Sequence, residues 1–127
     1  MRFLIDTHVL IWFINGDELL PERAISDVKN INNECFISIA SIWEIAIKVS
    51  LNKLELKSEF DKIIDFLTDL DIEILPITFE HIQILNTLEY HHKDPFDRMI
   101  ISQAISEQLT IITKDENFIK YQVMVKW

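Results

Sequence analysis

The sequence predicts an α/β fold in which a mostly parallel sheet carries helices on both faces. Short apolar strand candidates alternate with helical segments along the whole chain, the order that is typical of this class. The strand candidates are apolar throughout, as burial on two faces requires. No internal repeat, low-complexity tract or linker interrupts the pattern. Residues 1–127 are therefore predicted to form a single domain, a length within the usual range for one core.

The first half of the chain alternates in this way twice. "RFLID" (2–6) is a short strand, and "THVLIWFI" is a helix entered through Thr7. Pro21 starts a second helix, "PERAISDVKNI", at a position where proline is tolerated. "CFIS" (35–38) is the second strand, and the helical segment "IASIWEIAIKVSLN" follows it.

The second half repeats the alternation. "SEFDKIIDFLTDL" has helical apolar spacing and Ser58 as a cap. "IEILP" (72–76) is a strand that ends at a proline. The remaining predicted elements are a helix over 78–90, a helix from "HHKDPFDRMIISQA" to about Leu109, strands at 110–113 and 123–127, and a short helix from Asp115 between those strands.

Composition excludes several functions. Gly16 is the only glycine, so neither a dinucleotide-binding glycine turn nor a P-loop can form. The one cysteine, Cys35, cannot make an internal disulfide or a zinc cluster. The longest apolar run has six residues, against the ~20 that span a bilayer, and no signal peptide is recognisable. We therefore expect no membrane association and a reduced, cytoplasmic compartment. The net charge of -9 predicts weak non-specific affinity for nucleic acid.

Four acidic residues are predicted to meet at one edge of the sheet. In open α/β sheets, ligands bind outside the carboxyl ends of the strands. Asp6 ends the first strand, Asp115 lies just beyond the fourth, and Asp97 begins the helix that leads into the fourth. Glu44 lies in the helix after the second strand, within the apolar segment "SIWEIAI".

Three of these acids also have a purely structural interpretation. Asp94 and Asp97 could form a capping box around Pro95. Asp115 could cap its short helix. Glu44 could pair with Lys48 one turn later, although its apolar flanks weaken that account.

Other side chains leave alternatives open. Asp6 either caps the next helix or takes part in chemistry. His91 and His92 could bind a metal, but adjacent histidines at a helix end are more often solvated. The aromatic residues Trp12–Phe13 and Trp43 are more typical of a core than of base-stacking platforms.

In this order, "LIDTHVLIW", "SIWEI", "HHKDPFDRMIISQA" and "TIITKDENF" resemble the PIN-domain family, in particular the VapC-type toxins of bacterial toxin–antitoxin pairs. The resemblance covers essentially the whole chain. It implies a five-stranded parallel sheet between layers of helices, a homodimer, and inhibition by a small antitoxin protein. It also implies that RNA is cleaved at a Mg²⁺ or Mn²⁺ site formed by the matching acids, Asp6, Glu44, Asp97 and Asp115. Each of these acids is a candidate direct ligand, and Thr7, Asp94 and Thr113 are candidates for an assisting role.

The chemistry of the four acids agrees with this implication. Mg²⁺ and Mn²⁺ prefer carboxylate and water oxygens and can activate water for attack on phosphorus. We therefore expect a metal-dependent endoribonuclease that hydrolyses phosphodiester bonds; the alternative is an inactive PIN-like module that binds RNA or protein. A haloacid-dehalogenase-like site requires D-x-D, which His8 breaks, and the acidic pair of a receiver-type phosphoacceptor is also missing. The cations expected to rim the acidic cluster are Lys48, Lys93, Arg98 and Lys114.

Overall fold

Five parallel strands form the centre of the structure, a computed structural model that describes residues 1–127. The strands are β1 (Arg2–Ile5), β2 (Glu34–Ser38), β3 (Ile72–Leu75), β4 (Thr110–Ile112) and β5 (Val125–Lys126). Their spatial order is β3-β2-β1-β4-β5, and every neighbouring pair is parallel. The predicted five-stranded parallel sheet is thereby confirmed.

Helices cover both faces of this sheet. They are α1 (Thr7–Asn15), α2 (Glu22–Lys29), α3 (Ile39–Ser50), α4 (Ile63–Asp69), α5 (Phe79–Thr87) and α6 (Pro95–Glu107). Side chains of β1 alternate between the faces: Phe3 and Ile5 join the core with α1, α2 and α4, whereas Leu4 joins a second core with α6. The predicted three-layer α/β/α architecture is confirmed. No helix is long and apolar enough to span a membrane.

Several predicted boundaries differ from those in the structure. Ser58 is not a helix cap; a 3-10 turn at Phe60–Lys62 leads into α4 instead. The helix predicted to reach Tyr90 ends at Thr87, because Leu88 has an extended backbone. The final strand, predicted over 123–127, is only two residues long. These differences lie at the ends of elements and leave their order unchanged.

The register of the strands brings their carboxyl ends to one edge. Ile5 of β1 pairs with Ile37 of β2 and with Ile112 of β4. The chain therefore leaves the sheet at Asp6 and at Thr113 side by side, and the backbone N–H of Asp6 donates to the carbonyl of Ile112 at 3.0 Å. This edge is where the sequence predicts the acidic cluster.

Candidate active site

Asp6 is a buried carboxylate at the end of β1. It precedes α1 but its side chain makes no capping hydrogen bond. The hydroxyl of Thr113 donates to Asp6 Oδ2 at 2.9 Å, and Oδ1 has no hydrogen-bond partner. Burial, with smaller contributions from the charges of Asp115 and Glu44, raises the pKa of Asp6 from the usual 3.8 to about 7, against the lowering effect of Thr113. Capping therefore does not explain this residue.

Glu44 is 4% exposed and lies on α3. The ammonium of Lys48 contacts its Oε2 at 2.9 Å, so the pair that the sequence suggests does form. It is not a solvated surface pair, however, and Glu44 Oε1 is buried without a hydrogen bond. Helix α3 is held against α1 by a buried bond in which the Thr7 hydroxyl donates to Ser41 Oγ at 2.8 Å. Thr7, the residue after Asp6, thus ties the start of α1 to the helix that carries Glu44.

The start of α6 combines a cap with a second interaction. Asp94 is the cap, and its Oδ1 accepts from the backbone N–H of Asp97 at 2.9 Å. Asp97 does not reply to the backbone of Asp94 as a capping box would require; its Oδ2 lies 3.1 Å from His92 Nε2 instead. Burial, followed by the charges of Asp94 and Asp6, raises the pKa of Asp97 to about 7, whereas the His92 hydrogen bond lowers it. Only half of the predicted capping box is present.

Asp115 caps a 3-10 helix at Glu116–Lys120, through an Oδ1 that accepts from the N–H of Asn117 at 2.9 Å. The expected capping role is thus confirmed. Its own N–H donates to the hydroxyl of Thr113 at 3.0 Å. Because the same hydroxyl donates to Asp6, Thr113 links two acids that follow neighbouring strands.

The four acids act on one another across the edge of the sheet. The charges of Asp115 and Glu44 raise the pKa of Asp6, and those of Asp6 and Asp115 raise the pKa of Asp97. Two of the acids also retain a buried oxygen without a hydrogen bond, and such an atom is unfavourable unless something else binds it. A divalent cation would satisfy both features, so the donor set fits Mg²⁺ or Mn²⁺.

The side chains are nonetheless not arranged as a closed ligand shell. No group of three or more His, Cys, Asp or Glu residues is positioned to hold a metal ion. Glu44 is turned to Lys48 and Asp97 to His92. An open cleft lies beside the cluster, and its walls include Asp6, His8, Trp12, Lys114 and Asp115.

Three expectations about neighbouring residues are wrong. Arg98 does not rim the site, because it is 4% exposed and donates to the carbonyls of Leu88 and Glu89. His92 is not solvated; its ring contacts both Asp97 and Tyr121. Trp43 is not a core residue but is 62% exposed. Trp12, by contrast, packs against the main core as predicted.

No motif in the sequence points to Tyr121 as part of this site. It lies after the 3-10 helix, far along the chain from the residues that it contacts, and its hydroxyl lies 2.8 Å from His92 Nδ1. No local pattern marks it, because a single buried tyrosine near the C-terminus is equally typical of a core position.

A comparison with protein families decides the classification. The family model for the PIN domain matches residues 3–123. The chain belongs to the PIN-domain family. A comparison with curated proteins finds no match.

Solved structures share the fold of this PIN domain at low sequence identity. VapBC2 from Rickettsia felis, solved bound to a DNA fragment from its promoter, matches at 21% identity with a TM-score of 0.78, covering 99% of this chain and 98% of that one. VapBC-1 from nontypeable Haemophilus influenzae matches at 16% identity with a TM-score of 0.69, covering 99% of this chain and 97% of that one. VapBC-5 from Mycobacterium tuberculosis, a member of the VapBC family of toxin-antitoxin systems, matches at 19% identity with a TM-score of 0.59. The match covers 98% of this chain and 95% of that one.

Proposed function

We propose that this PIN domain is a divalent-metal-dependent endoribonuclease that hydrolyses RNA phosphodiester bonds, and that it is the toxin of a toxin–antitoxin pair. One observation carries the proposal: mutually repelling acids meet at the carboxyl edge of the sheet while buried carboxylate oxygens of Asp6 and Glu44 lack a hydrogen bond. A cation binding site accounts for both facts, and hydrolysis of a phosphodiester by water requires no protein nucleophile.

The proposed ligands are Asp6, Glu44, Asp97 and Asp115. Mg²⁺ or Mn²⁺ bound there would lower the pKa of a water molecule and stabilise charge on the leaving oxygen. The chain itself fixes the carboxylates: the Thr113 hydroxyl holds Asp6, and His92 holds Asp97. Lys114 and His8 line the cleft beside Asp6 and would contact the phosphate backbone of a bound strand.

Cleavage of a structured RNA by the purified protein tests this function. We expect cleavage with Mn²⁺ or Mg²⁺, none with chelator, and none by Asp6→Asn or Asp97→Asn, because each swap removes an anionic ligand and keeps the side chain's shape. Glu18→Gln, which changes an exposed acid in a loop away from the edge, is the matched control and should cleave normally. Expression of the parent alone should slow growth, and expression of the two variants should not. Undiminished cleavage by Asp97→Asn contradicts the proposal.

A catalytically inactive RNA- or protein-binding module is the second candidate. It is favoured by one observation, the absence of any three potential ligands already positioned to hold a metal ion. The same assay separates the two candidates. Retained RNA binding together with no cleavage in either metal would favour the module.

We also propose a small antitoxin protein as a partner, as in the VapBC complexes that share this fold. An apolar cleft at α3 and α4 offers a surface for it, lined by Ile39, Ile42, Phe60, Ile64 and Ile74. The net charge of -9 favours a basic partner. A chain that contributes apolar contacts in this cleft and basic residues near the acidic cluster would match both features.

Co-expression with the product of a short reading frame next to the gene tests this partner. We expect the complex to survive about 1 M salt, where the screening length falls to about 3 Å while apolar burial persists. Ile64→Glu, at an exposed position of the cleft, should weaken it. Dissociation of the parent complex at high salt counts against apolar contacts as the main attraction.

We further propose that the protein is a homodimer. Light scattering of the purified chain over a range of concentrations tests this directly. A mass near 15.0 kDa, that of one chain, at all concentrations contradicts it.

A further inference from the structure

Three side chains and Asp97 of the acidic cluster form a continuous series of hydrogen bonds. Arg98 Nη1 lies 3.1 Å from Tyr121 Oη, which lies 2.8 Å from His92 Nδ1. His92 Nε2 lies 3.1 Å from Asp97 Oδ2. Arg98 and Tyr121 are buried, and the side chains of His92 and Asp97 are only 14% and 13% exposed. This series of hydrogen bonds therefore runs from the interior of the protein to the acidic cluster.

The direction of each hydrogen bond follows from the donors. The guanidinium of Arg98 can act only as a donor to Tyr121 Oη. The backbone N–H of His92, which is also only a donor, lies 3.4 Å from the same oxygen. These two donors occupy the lone pairs of Tyr121 Oη. The phenolic hydrogen must then go to an acceptor, and His92 Nδ1 is the one within reach. His92 Nδ1 is thus unprotonated, and Nε2 carries the hydrogen that is donated to Asp97.

Arg98 is itself firmly held, which keeps this direction fixed. It donates to the carbonyls of Glu89 at 2.8 Å and Leu88 at 3.2 Å, and its guanidinium stacks on the ring of Tyr90 at 3.9 Å. Arginine does not lose its proton in proteins. The donor at the inner end of the chain is therefore present at every pH at which the protein is folded.

We propose that His92, held in its Nε2–H tautomer by Tyr121 and Arg98, is a positioning residue for Asp97, an inference that rests on the proposed function. Its N–H binds Asp97 Oδ2 and so fixes the plane of the carboxylate. Asp97 Oδ1 accepts no hydrogen bond from the protein and stays available to a cation. Histidines that bind metals are commonly oriented by such outer partners; here a histidine orients the carboxylate.

The tautomer of His92 tests the first part of this proposal in metal-free protein. Nitrogen-15 NMR distinguishes the two neutral imidazole forms and the imidazolium. Spectra recorded with chelator at about pH 8.5, well above the usual histidine pKa of about 6.5, should show His92 as the Nε2–H form. His92→Gln identifies its signals among the four histidines. Tyr121→Phe should give a mixture of tautomers, whereas Tyr90→Phe, the matched control at an exposed ring, should not.

Binding and turnover test the second part. We expect Tyr121→Phe to weaken Mn²⁺ binding and to lower kcat by about 10–100-fold, the usual effect of removing an outer partner, with KM for RNA unchanged. His92→Gln, whose amide N–H can reach the same oxygen, should keep more activity than His92→Leu. Thermal melts confirm that each variant is folded.

The outcomes separate this proposal from the proposed function. If the parent protein cleaves RNA and Tyr121→Phe binds Mn²⁺ and cleaves equally well, the positioning role is wrong and the nuclease function stands. If the parent cleaves nothing, the nuclease function is wrong, while the tautomer and Mn²⁺ affinity still test the positioning role. An Nδ1–H tautomer or an imidazolium in the parent overturns the proposal.

Discussion

Asp6 combines near-complete burial with a carboxyl group that forms no ion pair. Burial raises its pKa to about 7, whereas in an unfolded chain the value is about 3.9. Between these two values the folded state binds more protons than the unfolded state. The contribution of Asp6 to stability is therefore fully present below about pH 4 and is lost as pH rises through about 7. Asp97, whose pKa is also raised to about 7, acts in the same direction.

We accordingly expect the metal-free protein to be less stable at about pH 8 than at about pH 5.5, and Asp6→Asn to flatten this dependence by removing one of the two groups. Each pKa unit corresponds to about 1.4 kcal/mol. Urea denaturation in chelator over this pH range measures the effect. Glu18→Gln should follow the parent curve. Parallel curves for the parent and Asp6→Asn would show that Asp6 does not titrate in this range.

Lys48 supplies the positive charge that pairs with the buried carboxylate of Glu44. With metal absent, Lys48→Met should lower the free energy of unfolding by about 1–3 kcal/mol, the usual effect of leaving a buried polar group unpaired, because Glu44 Oε2 loses the ammonium at 2.9 Å. Lys48→Arg, which keeps the positive charge, should lower the free energy of unfolding much less. Denaturation with chelator and with Mn²⁺ measures both, and the metal should restore more stability to the Met variant. Equal losses in the two variants would mean that the ion pair is not what stabilises this position.

At the scale of elements, the start of α6 holds two acids, three residues apart, in different interactions. The Asp94 side chain caps the helix, whereas that of Asp97 turns to His92. We expect Asp94→Ala to reduce stability by about 1 kcal/mol and Asp94→Asn to remain near the parent, because asparagine caps as well as aspartate. Chemical denaturation compares the three proteins. A full loss in Asp94→Asn would show that the charge, and not the cap, matters at this position.

The whole molecule gathers acids from separate parts of the chain, so the folded state alone holds them together. A cation that binds this cluster and not the unfolded chain stabilises the protein by about 2.7 kcal/mol at a hundredfold excess over its dissociation constant. Removing one carboxylate charge should relieve repulsion in the metal-free protein. It should also reduce the stabilisation that a bound cation gives. Asp97→Asn should therefore melt higher than the parent in chelator, yet gain less from Mg²⁺ or Mn²⁺.

Thermal melts at neutral pH, with chelator and with metal, check this expectation. If the only role of Asp97 were its favourable charge at the start of α6, the variant would melt lower in chelator by an amount equivalent to about 0.3–1 kcal/mol. Lower melting combined with an equal gain from metal in both proteins would contradict the cation site.

The order of elements and the location of the acids could be predicted from the sequence. Apolar strands alternating with helices require a covered parallel sheet, and acids that follow strands in such a sheet come to one edge. Asp6 and Asp115 were predictable for this reason, and Thr113 links them as neighbours of β1 and β4. The family follows from the same residues and from the match over residues 3–123.

The tertiary structure alone decided what each side chain touches across elements. Segments far apart in the chain decide that Arg98 is buried and that Trp43 is exposed. They also decide that His92 contacts Tyr121. A local pattern reports which face of an element is apolar, but it carries no information on which remote donor lies opposite a polar group. For that reason the sequence determined the fold and the set of acids, and only the packing of distant segments determined how those acids are held.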